Sequence, residues 1–235
     1  MLDIAKRYVP PVAGRDLEQA LTYVSEQGFE LSWFYTSFTY PRTFYRKGSR
    51  PLLEEALAKY VDAKATDRQR LEQCVTALVC AVTHFSKINF KGPMDRGLSE
   101  EDVIRSRQGW CAEQVRVFVA FTQIAGLPSR IVLAANKKGH GHVLAEVFVG
   151  GKWGLVDQTE GFIFTGADGG PLNVLDVRSD RQLWLAADRL YKARLMAHRA
   201  QAADSAFWDQ WVPYGVEEHP LEILDQVGYC NYFIH

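Results

Sequence analysis

Apolar residues recur along this chain in three rhythms, each predicting a different element. Between Thr66 and Phe85, the residues Leu71, Cys74, Val75, Leu78, Val79, Val82 and Phe85 fall at 3.6-residue spacing. They form one apolar stripe on a helix that opens at a capping box of Thr66 and Gln69. After Cys111 the apolar positions (Ala112, Val115, Val117, Phe118, Val119, Phe121, Ile124) surround most of a helical circumference, which predicts a helix buried on nearly all sides. Gly126-Leu127-Pro128 ends it. Three strand-like runs follow, SRIVLAAN, HVLAEVFV and KWGLVDQT, and only Gly150-Gly151 separates the last two, a hairpin signal.

The remaining segments read less sharply. A helix is predicted over residues 16–27, another from Pro51, and a short one from the cap at Ser99 and Asp102 to a stop at Gly109. Residues 29–51 are aromatic-rich and helix-poor, GADGGPLN is a turn-rich loop, residues 179–209 read mainly helical, and the tail is mixed and aromatic. With no internal repeat and no composition break, the chain is expected to be a single α+β domain over 1–235. Its core would span about 66–165, with helical flanks over 1–65 and 175–235.

Composition narrows the class. A chain of 235 residues can bury roughly 70% of its unfolded surface without staples. The 27 basic and 28 acidic residues nearly cancel, so neither nucleic acid nor an anionic membrane is an expected partner. The first residues lack a signal-peptide h-region and no apolar run reaches the ~20 residues of a spanning helix, so a cytoplasmic protein is expected. The irregular spacing of Cys74, Cys80, Cys111 and Cys230 argues for free thiols rather than a disulfide framework.

The candidate chemistry starts at Cys111, in RSRQGWCAEQVRVFVAF, where a glycine-bearing turn runs into the buried helix. An ordinary thiol, with pKa ~8.5, is only about 3% thiolate at pH 7, and the thiolate is the nucleophile. Lowering the pKa to ~6 takes about 3.4 kcal/mol, whereas a helix N-terminus supplies at best ~2 kcal/mol, so a cationic partner is required. If Gly150-Gly151 is a two-residue turn, cross-strand partners sum to 301, and His142 and Asp157 become diagonal neighbours on one sheet face. His140, one step further along, falls out of Asp157's reach. Cys111, His142 and Asp157 thus read as thiol, imidazole and orienting carboxylate.

Gly109-Trp110-Cys111, the GLPSR run at Gly126–Arg130, His142 to Glu146 in H-x-x-x-E, and Trp153 to Asp157 in W-x-x-x-D occur in order. This set closely resembles the core of the transglutaminase-like superfamily, related in fold to papain-type cysteine proteases. The resemblance spans roughly residues 102–161. It implies a nucleophile helix packed on an antiparallel sheet, with Cys111 as nucleophile, His142 as general base and acid, and Asp157 as orienter. It implies a cysteine-dependent acyl-transfer enzyme, and nothing in the sequence calls for an organic cofactor or nucleotide. The acyl donor would be a peptide, protein or small-molecule amide or ester, and the acceptor water or an amine. Leu144 stands where many relatives carry an aromatic, and Gln158 where many carry proline.

Other readings compete at single residues. Trp110 reads first as packing and second as an oxyanion donor, after the backbone N–H of Cys111. Glu146 reads as substrate-binding or as a structural hydrogen-bond partner, and Arg130 as a strand support. Zinc could draw on His140, His142 and Cys111, or on Cys80 and His84 at helical i,i+4 spacing, but neither makes a full ligand set. A binding or scaffold module on the same fold, using residues 33–45 and the tail, is the alternative of another class.

Overall fold

The computed structural model describes residues 43, 45–84, 98–135, 141–180, 182–183 and 226–230. The helix expected over residues 16–27, most of the aromatic segment, Phe85, His140 and most of the helical region over 179–209 lie outside them.

Helix α1 (Pro51–Ala58) starts with proline in its first turn and buries Leu53 and Leu57. Helix α2 (Asp67–Ala81) opens at the expected box: Gln69 N–H donates to Thr66 Oγ1 at 3.3 Å and Thr66 N–H to Gln69 Oε1 at 2.9 Å. Its stripe is buried at Leu71, Cys74, Val75, Leu78 and Val79, and Val82 just beyond the helix is buried too. Strand β1 (Thr83–His84) then pairs in parallel with β2 (Gln108–Gly109).

Between them, α3 (Glu100–Ser106) is capped by the Ser99 side chain but does not end at Gly109. Arg107, at φ 58°, takes the left-handed stop, and Gly109 belongs to β2. Gly109 is instead tightly packed: a Cβ there would lie 3.0 Å from Glu113 Cβ, at the start of the next helix, so that neighbour would have to shift.

Helix α4 (Cys111–Ile124) is buried at every residue from Glu113 to Gln123 except Arg116. Arg116 pairs with Glu100 at 3.2 Å, and Glu100 pairs with Arg50 at 2.6 Å. This chain of charges joins the start of α1, α3 and α4.

The five-stranded antiparallel sheet runs in the order β6-β5-β4-β3-β7, from β3 (Ser129–Ala135), β4 (Gly141–Val149), β5 (Lys152–Asp157), β6 (Phe162–Ile163) and β7 (Gln226–Cys230). The first three were expected, and β6 and β7 were not. Helix α5 (Val174–Ser179) begins before the expected helical region, on an Asn173 cap that accepts from Leu175 and Asp176 N–H. One sheet face, carrying Ile131, Leu133, Ala145, Val147, Val149 and Val156, shares a core with α1, α2 and α4. The other carries Leu144, Glu146 and Leu155, all fully buried. The architecture is α+β, a helix on an antiparallel sheet.

Candidate active site

Cys111 is the first residue of α4, with Trp110 as an extended N-cap. Trp110 N–H donates to Glu113 Oε2 at 3.1 Å, so a carboxylate in the first turn secures the chain immediately before the thiol. The half-buried sulfur sits at the positive end of the helix, where a negative charge is favoured.

The β4–β5 hairpin has the register in which partners sum to 301: Val149 pairs with Lys152 and Ala145 with Val156. Gly150 and Gly151, at φ 60° and 78°, adopt the left-handed turn that matches the strand twist. His142 shares a face with Leu144 through an unbroken β3–β4 ladder, and one further step of the β4–β5 register beyond Ala145 and Val156 sets Leu144 opposite Asp157. The diagonal closes: His142 Nε2 is 3.2 Å from both Asp157 Oδ1 and Oδ2.

Asp157, fully buried, is held in turn by its own loop. The N–H groups of Thr159 and Glu160 both donate to Oδ1 at 3.1 Å. Burial alone would lower the His142 pKa. The charge and hydrogen bond of Asp157, followed by the hydrogen bond and charge of Cys111, outweigh that and push it up to about 10. With Nε2 on Asp157, Nδ1 is the ring nitrogen left for the sulfur.

The structure therefore brings Cys111, His142 and Asp157 together and assigns the neighbouring candidates to support. Glu146, fully buried, pairs with Arg130 Nη2 at 2.6 Å and accepts Val174 N–H at 2.8 Å, tying α5 to this sheet face. Arg130 also lies 4.3 Å from the centre of the Trp153 ring. Both of Glu146's oxygens are engaged structurally, and Arg130 supports the strands.

The other thiols are placed differently. Cys74 is fully buried with its sulfur 3.7 Å from Phe121 O, and burial pushes its pKa far up. Cys80 hydrogen-bonds Tyr60, whose hydroxyl is pushed up to about 12 by burial and then by Cys80. Helix α2 ends at Ala81 and His84 lies in β1, so Cys80 and His84 do not share a helix face. Among the described residues no three His, Cys, Asp or Glu side chains converge for a metal, and no helix is long and apolar enough to cross a membrane.

Two supporting residues escaped the sequence reading. Glu113 was legible as an acidic residue in the first turn of the helix after Cys111. Gln158 stood out only as a non-proline after Asp157, and its side-chain contact, a donation to Val143 O at 2.7 Å, has no sequence signature.

Residues 55–158 match the family model of the transglutaminase-like superfamily, from within α1 to the residue after Asp157. No protein of curated function matches the chain. Among solved structures, a TGase is similar at 15% identity and TM-score 0.39, over 61% of this chain and 37% of that one. A candidate cysteine protease from Cytophaga hutchinsonii is similar at 17% identity and TM-score 0.38, over 65% and 45%. A candidate protease from Parabacteroides distasonis is similar at 12% identity and TM-score 0.34, over 46% and 22%. The chain thus spans less than half the length of each. Residues 55–158, on a helix-and-sheet framework of the expected kind, are thus similar to the transglutaminase-like superfamily.

Proposed function

We propose that this protein is a cysteine-dependent acyl-transfer enzyme with Cys111, His142 and Asp157 as its reacting set. The observation that carries the reading is His142, buried, hydrogen-bonded to Cys111 and fixed by Asp157 at 3.2 Å. An imidazolium held there supplies the cation that a thiolate needs beyond the helix terminus.

In the forward step the Cys111 thiolate attacks an amide or ester carbonyl, forming a C–S bond and an oxyanion. The first-turn amides of α4, which have no intrahelical acceptor, are the donors assigned to that oxyanion. The imidazolium of His142 passes its proton to the leaving amine or alcohol as the C–N or C–O bond breaks, leaving a thioester. Water or an amine, deprotonated by the now neutral His142, then attacks the thioester, and the C–S bond breaks to release the Cys111 thiolate beside the re-formed imidazolium. Asp157 keeps the ring aimed throughout.

The test is mass-spectrometric trapping of the acyl-enzyme with activated acyl esters and glutamine-containing peptides. An acyl mass on the Cys111 peptide, absent in C111A and lost faster on adding a primary amine, supports the reading and identifies transamidation. Acylation equally distributed over Cys74, Cys80 and Cys111 would overturn it in favour of a binding module.

A further inference from the structure

Strand β5 ends at Asp157 because the chain turns there to bring the N–H groups of Thr159 and Glu160 onto the Asp157 carboxylate. Continued in the same register, the hairpin would have set Gln158 opposite Val143 and Thr159 opposite His142. The turn ends that backbone pairing at the end of β4 that carries His142. On its other side this end is still paired with β3, with Ala134 opposite His142 and Leu133 opposite Val143.

A side chain fills the place of the missing ladder. Gln158 Nε2 donates to Val143 O at 2.7 Å, and the residue is 1% exposed. The same nitrogen lies 3.4 Å from Thr159 Oγ1, within the turn. Gln158 Oε1 is buried with no hydrogen-bond partner among the described residues, so the donor end alone makes the contact. A proline at this position would offer no such donor. Consecutive residues therefore grip one strand end twice, Asp157 by the imidazole ring and Gln158 by the backbone one residue beyond it.

We propose that Gln158 is a positioning residue, which through Val143 O holds the His142 end of β4 at the distance where the ring meets Asp157 and Cys111. The inference rests on the proposed reacting set for its consequence in catalysis, but not for its geometry. Displacing a reacting group by ~1 Å costs on the order of a hundredfold in rate, so one hydrogen bond at this point has leverage. The titratable groups in contact with the ring are Asp157 from β5 and Cys111 from α4, and Glu160 lies in the turn beyond Asp157.

The experiment compares the full chain with Gln158→Met, which keeps the length and removes the donor. Two readouts are followed: the His142 imidazole titration by 15N NMR, and the rate of Cys111 alkylation by iodoacetamide at pH 6. The expected result is a His142 midpoint lowered by about one unit and alkylation slowed by about tenfold or more, at retained circular dichroism. Should Gln158→Met fail to fold, Gln158→Leu, which also removes the donor and adds no charge, is read the same way. A folded variant whose His142 midpoint matches the wild type overturns the proposal, whatever its melting temperature. A lowered midpoint, in a protein whose Cys111 never outpaces Cys80, upholds the positioning role and overturns the acyl-transfer reading instead.

Discussion

His142 Nε2 stands 3.2 Å from each oxygen of the Asp157 carboxylate, and both residues are buried. A charge-bearing pair of this kind, packed beneath a thiol, links the protein's stability to the protonation of one ring.

The first consequence is a pH dependence with a defined sign. The folded-state pKa of His142, at about 10, lies above the ordinary value of 6.5. Its stabilisation is therefore fully present below about pH 6.5 and is lost as pH rises towards about 10, a change on the order of a few kcal/mol. Urea denaturation across pH 6 to 10 should show this decline in the wild type and a flatter profile in Asp157→Asn. Parallel profiles would contradict the assignment of the slope to this pair.

Removing the thiol should act on the same ring, less strongly. Asp157 contributes more than Cys111 to raising the His142 pKa. NMR titration should thus place the His142 midpoint of Cys111→Ala between those of the wild type and Asp157→Asn. The reverse order would assign the sulfur the larger share.

The three described thiols should separate kinetically. Cys74 is fully buried with its pKa pushed up, and Cys80 is engaged with Tyr60. Limited iodoacetamide treatment of the native protein at pH 6, followed by peptide mass spectrometry, should label Cys111 at least tenfold faster than either. Asp157→Asn should remove most of that advantage.

The Arg130–Glu146 pair tests support away from the thiol. Its side chains are 3% and 0% exposed, so cutting one partner leaves an uncompensated buried charge or donor. Glu146→Gln and Arg130→Met are each expected to lose about 3–5 kcal/mol in urea denaturation. The double replacement Arg130→Met with Glu146→Leu should cost less than the sum. Additive losses would mean that the two groups are not coupled.

Gly109→Ala should disturb the thiol through packing alone. The added Cβ would lie 3.0 Å from Glu113 Cβ, an atom fixed by its helix, and 3.4 Å from Val103 Cγ1. A destabilisation of about 1–3 kcal/mol is expected, with slower Cys111 alkylation as the first turn of α4 shifts.

Local pattern alone determined the parts of this protein whose partners lie close in the chain. The Thr66 cap, the buried helix after Cys111 and the 301 register across Gly150-Gly151 all depend on residues a few positions apart, so the facing of His142 towards Asp157 was legible before any coordinates. Tertiary structure decided what distant segments contribute. Strand β7 crosses from residues 226–230 to the edge of β3, β1 and β2 pair in parallel across 23 intervening residues, Arg107 rather than Gly109 ends α3, and Gln158 reaches back to Val143 O. Periodicity and capping are written in neighbouring residues, whereas an edge pairing or a buried amide contact depends on which surfaces meet once the core has closed.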